Sequence, residues 1–162
     1  MLLEMKVVSL ALDPMTQMPI LILKDLSEEH TLPIWIGLVE AGAIATELEQ
    51  IQLSRPMTHD LLKTLLDEAG VQLLHVEVTD LRENTYYATL VLTQSGRVFE
   101  VDARPSDAIA LALRAHCPIR VEESVLEKAR EIDLRRKSSA DGEPVGDELA
   151  SLPDEDFGKW KM

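Results

Sequence analysis

Between Val101 and Arg114 the chain changes character twice within a short span: an extended run stops, a polar cluster interrupts it, and a nearly all-apolar helix begins. Pro105 suits the first turn of that helix, where its missing N–H is no loss, and Ser106 is placed to accept a bond from the free amides behind it. Asp107 falls at the positive end of the helix dipole. From Ala108 to Leu113 every residue is apolar, so the helix has no wet face and reads as a central, buried element around which the other segments must pack.

The strands that such a helix needs are legible on both sides of it. Residues 5 to 12 alternate loosely, and a turn over Asp13 to Gln17 leads to Pro19–Lys24, giving a hairpin. Leu32 to Ile36 forms a third strand, whose Pro33 points to an edge or an early strand position. From Leu38 to Gln52 the spacing of Ala41, Ile44, Ala45, Leu48 and Ile51 predicts an amphipathic helix. A second helix, capped by Thr58, carries Leu61, Leu62, Leu65, Leu66 and Ala69 and closes at Gly70. Leu74, Val76 and Val78 then alternate with His75, Glu77 and Thr79, and strands Thr85–Thr93 and Arg97–Ala103 meet at a turn containing Gly96. A short strand at Ile119–Val121 and a last helix, capped by Ser124 and fading near Arg135, complete the order.

These elements imply an α+β fold, a mixed or antiparallel sheet with packed helices. Sliding the sequence by 65 residues lays Ile34–Leu48 over Phe99–Leu113, matching Ala43-Ile44-Ala45 with Ala108-Ile109-Ala110 and suggesting a duplicated βββα unit. One domain over 1–132 is expected, followed by an acidic tail over 133–162 that has Ser, Gly, Pro and acid in place of periodicity. Phe157 and Trp160 near its end are candidates for docking.

The single cysteine, Cys117, cannot form an internal disulfide, and no apolar run approaches the ~20 residues needed to cross a bilayer. With no basic region before a long apolar stretch at the start, the chain reads as cytoplasmic. A net charge of −13 opposes unguided binding to nucleic acid or anionic membrane. Much of that charge is local, since Lys137 to Gly158 holds seven acidic residues against one basic one.

P-loop, dinucleotide-binding, zinc-protease and paired C-x-x-C signatures are all absent. What remains is a set of polar residues at helix entrances: Glu40, Arg55, His59, Asp60, Asp102, Arg104, Ser106 and Asp107. Arg55 and Arg104 each precede a proline and add a guanidinium fork to free helix amides, a combination that suits phosphate. Asp102, Asp107 and Glu40, if brought together, could hold Mg²⁺ or Mn²⁺, and His59 could serve as a general base. The bland reading has equal claim: Arg104 pairs with Asp102 or Asp107, Ser106 only caps, and Arg55 ties two helices together.

Leu32-Pro-Ile-Trp-Ile-Gly37 with Glu40-Ala41, then Arg55-Pro56-x-Thr58-His59-Asp60-Leu61, then Tyr87-Ala88 and Asp102-Ala-Arg-Pro-Ser-Asp-Ala-Ile-Ala-Leu-Ala-Leu-Arg114, taken together, resemble the bifunctional nuclease family over roughly residues 3 to 130. The resemblance implies a compact α+β domain and a nuclease acting on RNA, DNA or both, with any active site among the eight polar residues. Glu40, His59, Asp60, Asp102 and Asp107 are then the catalytic candidates, with Arg55, Arg104 and Ser106 as substrate contacts. A non-catalytic nucleotide- or anion-binding regulatory domain is the competing expectation, favoured by the overall acidity. A homodimer or other homo-oligomer is expected from sheet edges and apolar helix faces.

Overall fold

The computed structural model of the chain describes residues 1–139. Seven strands, β1 (Leu2–Leu12), β2 (Pro19–Asp25), β3 (Thr31–Trp35), β4 (Gln72–Arg82), β5 (Thr85–Gln94), β6 (Arg97–Ala103) and β7 (Ile119–Glu122), form one sheet in the order β3-β2-β1-β7-β4-β5-β6. The four helices are α1 (Leu38–Leu48), α2 (Thr58–Glu68), α3 (Pro105–Ala115) and α4 (Glu123–Ser139). Every neighbouring strand pair is antiparallel except β4 and β7, so the sheet is mixed and the α+β expectation holds. The elements run βββα twice, with α2 after the first set. The expected tail, with Phe157 and Trp160, lies outside the described residues beyond Ser139.

Two antiparallel meanders, β1-β2-β3 and β4-β5-β6, are joined edge to edge by β7, the short strand that pairs with β1 on one side and β4 on the other. Pro33 sits in β3, an edge strand, where a missing N–H breaks no ladder. The turn before β6 has positive φ at both Ser95 (50°) and Gly96 (82°), which suits the right-handed twist of a hairpin. The sheet curves: α4 touches β3 as well as β7 and β4, and the Tyr86 hydroxyl of β5 donates to the Pro33 carbonyl of β3 at 3.2 Å. No helix among the described residues is long and apolar enough to cross a membrane.

Inside the sheet, Ala108, Ile109, Ala110, Leu111 and Ala112 of α3 are all buried, together with Ile44 of α1, Val76 and Val78 of β4 and Val125 of α4. Helix α3 is thus the central element that its composition predicts, and truncating Ile109 to alanine should cost about 2–5 kcal/mol through lost burial and the cavity left behind.

Several local expectations differ from the structure. In β4, bulges at Leu73/His75 and Val78/Asp80 shift the alternation, so Leu73 rather than Leu74 joins Val76 and Val78 in the core. Helix α1 ends at Leu48, because Gln50 takes a positive φ of 55° and turns the chain away. Thr58 is already helical, and the α2 cap is Met57, whose N–H donates to Asp60 Oδ2 at 2.9 Å. Ser124 falls inside α4, which begins at Glu123, and that helix continues past Arg135 to Ser139. None of the residues of α2 is buried: Leu61, Leu62 and Leu65 are exposed, although their spacing would serve a core-facing stripe.

Candidate functional site

Helices α1, α2 and α3 each carry an acid as their third residue: Glu40, Asp60 and Asp107. A carboxylate there lies against the free amides and the positive end of the dipole, which explains each one locally. Only the fold brings the three helix entrances together. Arg104, the N-cap of α3, has the extended backbone (φ −71°, ψ 144°) expected of a residue before proline, and its side chain leaves the helix to bridge the other two.

Its Nε donates to Asp107 Oδ2 at 2.7 Å and its Nη1 donates to Glu40 Oε1 at 2.8 Å. The other oxygen of Asp107 receives His59 Nε2 of α2 at 2.9 Å. Glu40, Arg104, Asp107 and His59 therefore form one continuous chain of hydrogen bonds across three helices. The Arg104 side chain is 65% exposed, and two of its five N–H groups are used, leaving one face of the fork open to solvent. His59 is only 12% exposed. Its Nδ1 has no hydrogen-bond partner among the described residues.

Charge in this chain is well matched. Partial burial pushes the Asp107 carboxyl up, but the hydrogen bonds from Arg104 and His59 outweigh it and hold the group below the ordinary carboxylate range. The same contacts, Asp107 first and Glu40 second, raise the Arg104 guanidinium. With Asp107 ionised and accepting from Nε2–H, the imidazole is held in the tautomer whose Nδ1 carries a lone pair, the arrangement of an oriented base.

Gly37 caps α1 beside this network, and any side chain there would run into Glu40 Oε2. Asp60 belongs to a neighbouring contact. Its Oδ1 accepts from Arg114 Nε at 2.6 Å, while Arg114 also donates to the carbonyls of Ala110 and Ala43 at 2.8 and 3.0 Å. Arg114, 6% exposed, thus fastens α1 and α2 to α3. Reasoning from sequence did not single it out. The available signal was a lone charge at the end of a helix with no wet face, which must find a buried partner.

The remaining candidates lie apart from the chain of bonds. Ser106 is buried in the first turn of α3 without serving as its cap. Arg55 is exposed in the segment before α2 and makes no hydrogen bond or ion pair among the described residues. Asp102 is exposed on β6, opposite Thr89, and alternation puts it on the other face from Phe99 and Ala103, which pack against the core. Glu40 and Asp107 are separated by the guanidinium they share. A divalent ion between them would meet that positive charge, and no group of three or more His, Cys, Asp or Glu side chains among the described residues is arranged as a metal cage. The residues present do not fit a divalent ion in this arrangement.

Comparison with known proteins places these residues in context. Residues 21–133 match the family described as the bifunctional nuclease domain. An uncharacterized protein of Mycobacterium tuberculosis, Rv1829, is 42% identical over 126 residues, covering 78% of this chain and 75% of its own length. Bifunctional nuclease 1 of Arabidopsis thaliana is 32% identical over 93 residues, 56% of this chain and 29% of the plant protein. Bifunctional nuclease 2 of Oryza sativa subsp. japonica is 30% identical over 100 residues, 60% of this chain and 31% of its own. The match thus spans under a third of either plant relative.

Proposed function

The chain belongs to the bifunctional nuclease domain family, and from that premise we propose that it cleaves phosphodiester bonds of nucleic acid at the junction of α1, α2 and α3. The observation that carries the proposal is the continuous Glu40–Arg104–Asp107–His59 chain, which presents an exposed guanidinium at Arg104 and, at its His59 end, a ring nitrogen with no partner among the described residues. Arg104 holds a nonbridging phosphate oxygen through its unused N–H groups, and Arg55 provides a second cation for the flanking phosphate. Glu40 and Asp107 fix the guanidinium from two sides. Asp107 also fixes the tautomer of His59, whose Nδ1 takes the proton of the attacking hydroxyl. No step is assigned to a metal ion. Asp60, through Arg114, holds the helix entrances in register, and Ser106 and Asp102 have no chemical role in this scheme.

The test is degradation of single-stranded RNA and DNA by the purified chain beside Arg104→Ala and Asp107→Asn. Loss of cleavage in both variants, with unchanged circular dichroism, is the expected result; unchanged cleavage would sink the assignment of the site. The net charge of −13 favours a second reading, a non-catalytic nucleotide- or anion-binding domain. Binding of a nucleotide in calorimetry, lost in Arg104→Ala and accompanied by no turnover, would select it.

Self-association is part of the same proposal. Met57, Leu61 and Leu65 are each at least half exposed on or beside α2, and this apolar patch supports a second copy as its cover, against the general repulsion of a net charge of −13. Sedimentation should give a dimer that Leu61→Glu with Leu65→Glu converts to monomer. A cytoplasmic setting is also proposed, on the expectation from sequence.

A further inference from the structure

Away from the helix entrances, β3, the tip of the β4–β5 hairpin and α4 surround a hollow of about 50 Å³. At about 10–15 Å³ for each water-sized group it has room for roughly four, enough for the head of one side chain and too little for a whole metabolite. Two of its walls are aromatic rings held by their polar ends. The Trp35 indole N–H donates to Asp13 Oδ2 at 3.0 Å, and the Tyr86 hydroxyl donates to the Pro33 carbonyl at 3.2 Å. Leu81 and Ile132, packed with the core, add apolar surface. The polar groups of the lining are uncommitted: the Asn84 side-chain amide and the Asp133 carboxylate make no hydrogen bond or ion pair among the described residues.

This lining selects among occupants. An aliphatic group would cover Asn84 and Asp133 without giving either a partner, which is costly. An anion would meet Asp133 in a chain of net charge −13. An ammonium is compact, strongly hydrated and has no flat face for the rings. A guanidinium is planar and less tightly hydrated, stacks on aromatic faces, and carries five N–H donors for a carboxylate and an amide oxygen. The same hairpin already makes such a pair, since the Arg82 guanidinium lies 4.9 Å from the centre of the Tyr87 ring. We propose that the hollow between β3, the β4–β5 hairpin and α4 is a docking site for the guanidinium of an arginine side chain presented by a partner polypeptide. Only the head fits, so the rest of the ligand stays outside. Free arginine would hold its α-carboxylate there, beside Asp133 and an acidic chain, whereas in a polypeptide that group is a neutral amide. No residue of this lining belongs to the helix-entrance junction, so the site stands apart from the nuclease reading.

The experiment titrates the isotope-labelled full chain with acetyl-Gly-Arg-Gly-amide and follows the Trp35 indole N–H by NMR, its signal told from that of Trp160 by its persistence in Trp160→Phe. The expected result is a saturable shift with a dissociation constant of about 0.1–10 mM, the range of so small a head group. The same peptide with citrulline, which keeps the shape and loses the charge, should bind at least about tenfold more weakly, as should the lysine peptide and free arginine. Asp133→Asn, an exposed change on α4, should weaken the arginine peptide by a similar factor. Asn84→Gly, which suits the positive φ of 61° at that turn, removes the amide and should weaken it further in the double variant. No saturable shift, equal binding of the citrulline or lysine peptide, or unchanged affinity in both variants would overturn the assignment of the guanidinium. Binding of free arginine as tight as that of the blocked peptide would overturn the polypeptide as its source.

Discussion

Asp60 Oδ1 and Arg114 Nε, 54 positions apart, lie 2.6 Å from each other, and the same guanidinium holds the main-chain oxygen of Ala43. This contact fastens α2, a helix without a buried residue, to the core. Replacing Arg114 by alanine leaves Asp60 and two carbonyls without their charged donor. The expected loss is about 1–3 kcal/mol, the scale of a hydrogen bond to a charged group, read as a lower denaturant midpoint. Asp60→Asn should lose less, because that carboxylate is about a third exposed and still has its bond to Met57.

Gly37→Ala separates stability from the site. The glycine has an ordinary φ of −71°, so alanine fits the backbone, and the reduced freedom of the unfolded chain would favour folding by about 0.4–1 kcal/mol. The new methyl displaces the flexible end of Glu40, which then releases Arg104. Thermal unfolding should therefore stay unchanged or rise while the proposed phosphodiester cleavage falls; a drop in both would show that the glycine matters to the backbone instead.

Acid should weaken the fold by a traceable route. Asp25 is held well below the ordinary carboxylate range by the His30 ring and main-chain N–H and by Ser27, and Asp80 by Lys128, Arg82 and the Leu81 amide. A depressed folded-state pKa means stability that is fully present above the unfolded value, about 3.9, and lost as pH falls through the folded one. The stability difference between the wild type and Asp25→Asn should be largest near neutrality and shrink below about pH 4. A difference that stays constant with pH would mean that the bonds to Asp25 do not depend on its charge.

Cys117 should be slow to react. Burial pushes its thiol up to about 11, leaving little thiolate at neutral pH. Titration with a disulfide reagent at pH 7.5 should proceed at least tenfold more slowly in the folded chain than in denaturant.

The sequence by itself determined the local elements and the chemical types at their starts. Apolar residues from Ala108 to Leu113 leave α3 no wet side, so it had to be central, and Pro33 had to find an edge or the start of a strand, of which the sheet order supplies the edge. These outcomes follow from forces that act within a few residues, such as periodicity, ring closure and free amides. Bulges in β4 were not legible, because one extra residue is specified by the partner strand and not by the pattern it interrupts. The apolar spacing of α2 was legible but not its exposure, since spacing cannot tell a face covered by this chain from one left open. Tertiary structure alone decided which acids meet which bases. Glu40, His59, Arg104 and Asp107 are ordinary helix-entrance residues in sequence, and a base and a cation share one carboxylate only because α1 and α2 both pack on α3. Hydrogen bonds reach about 3 Å, and no local rule carries a residue that far across the chain.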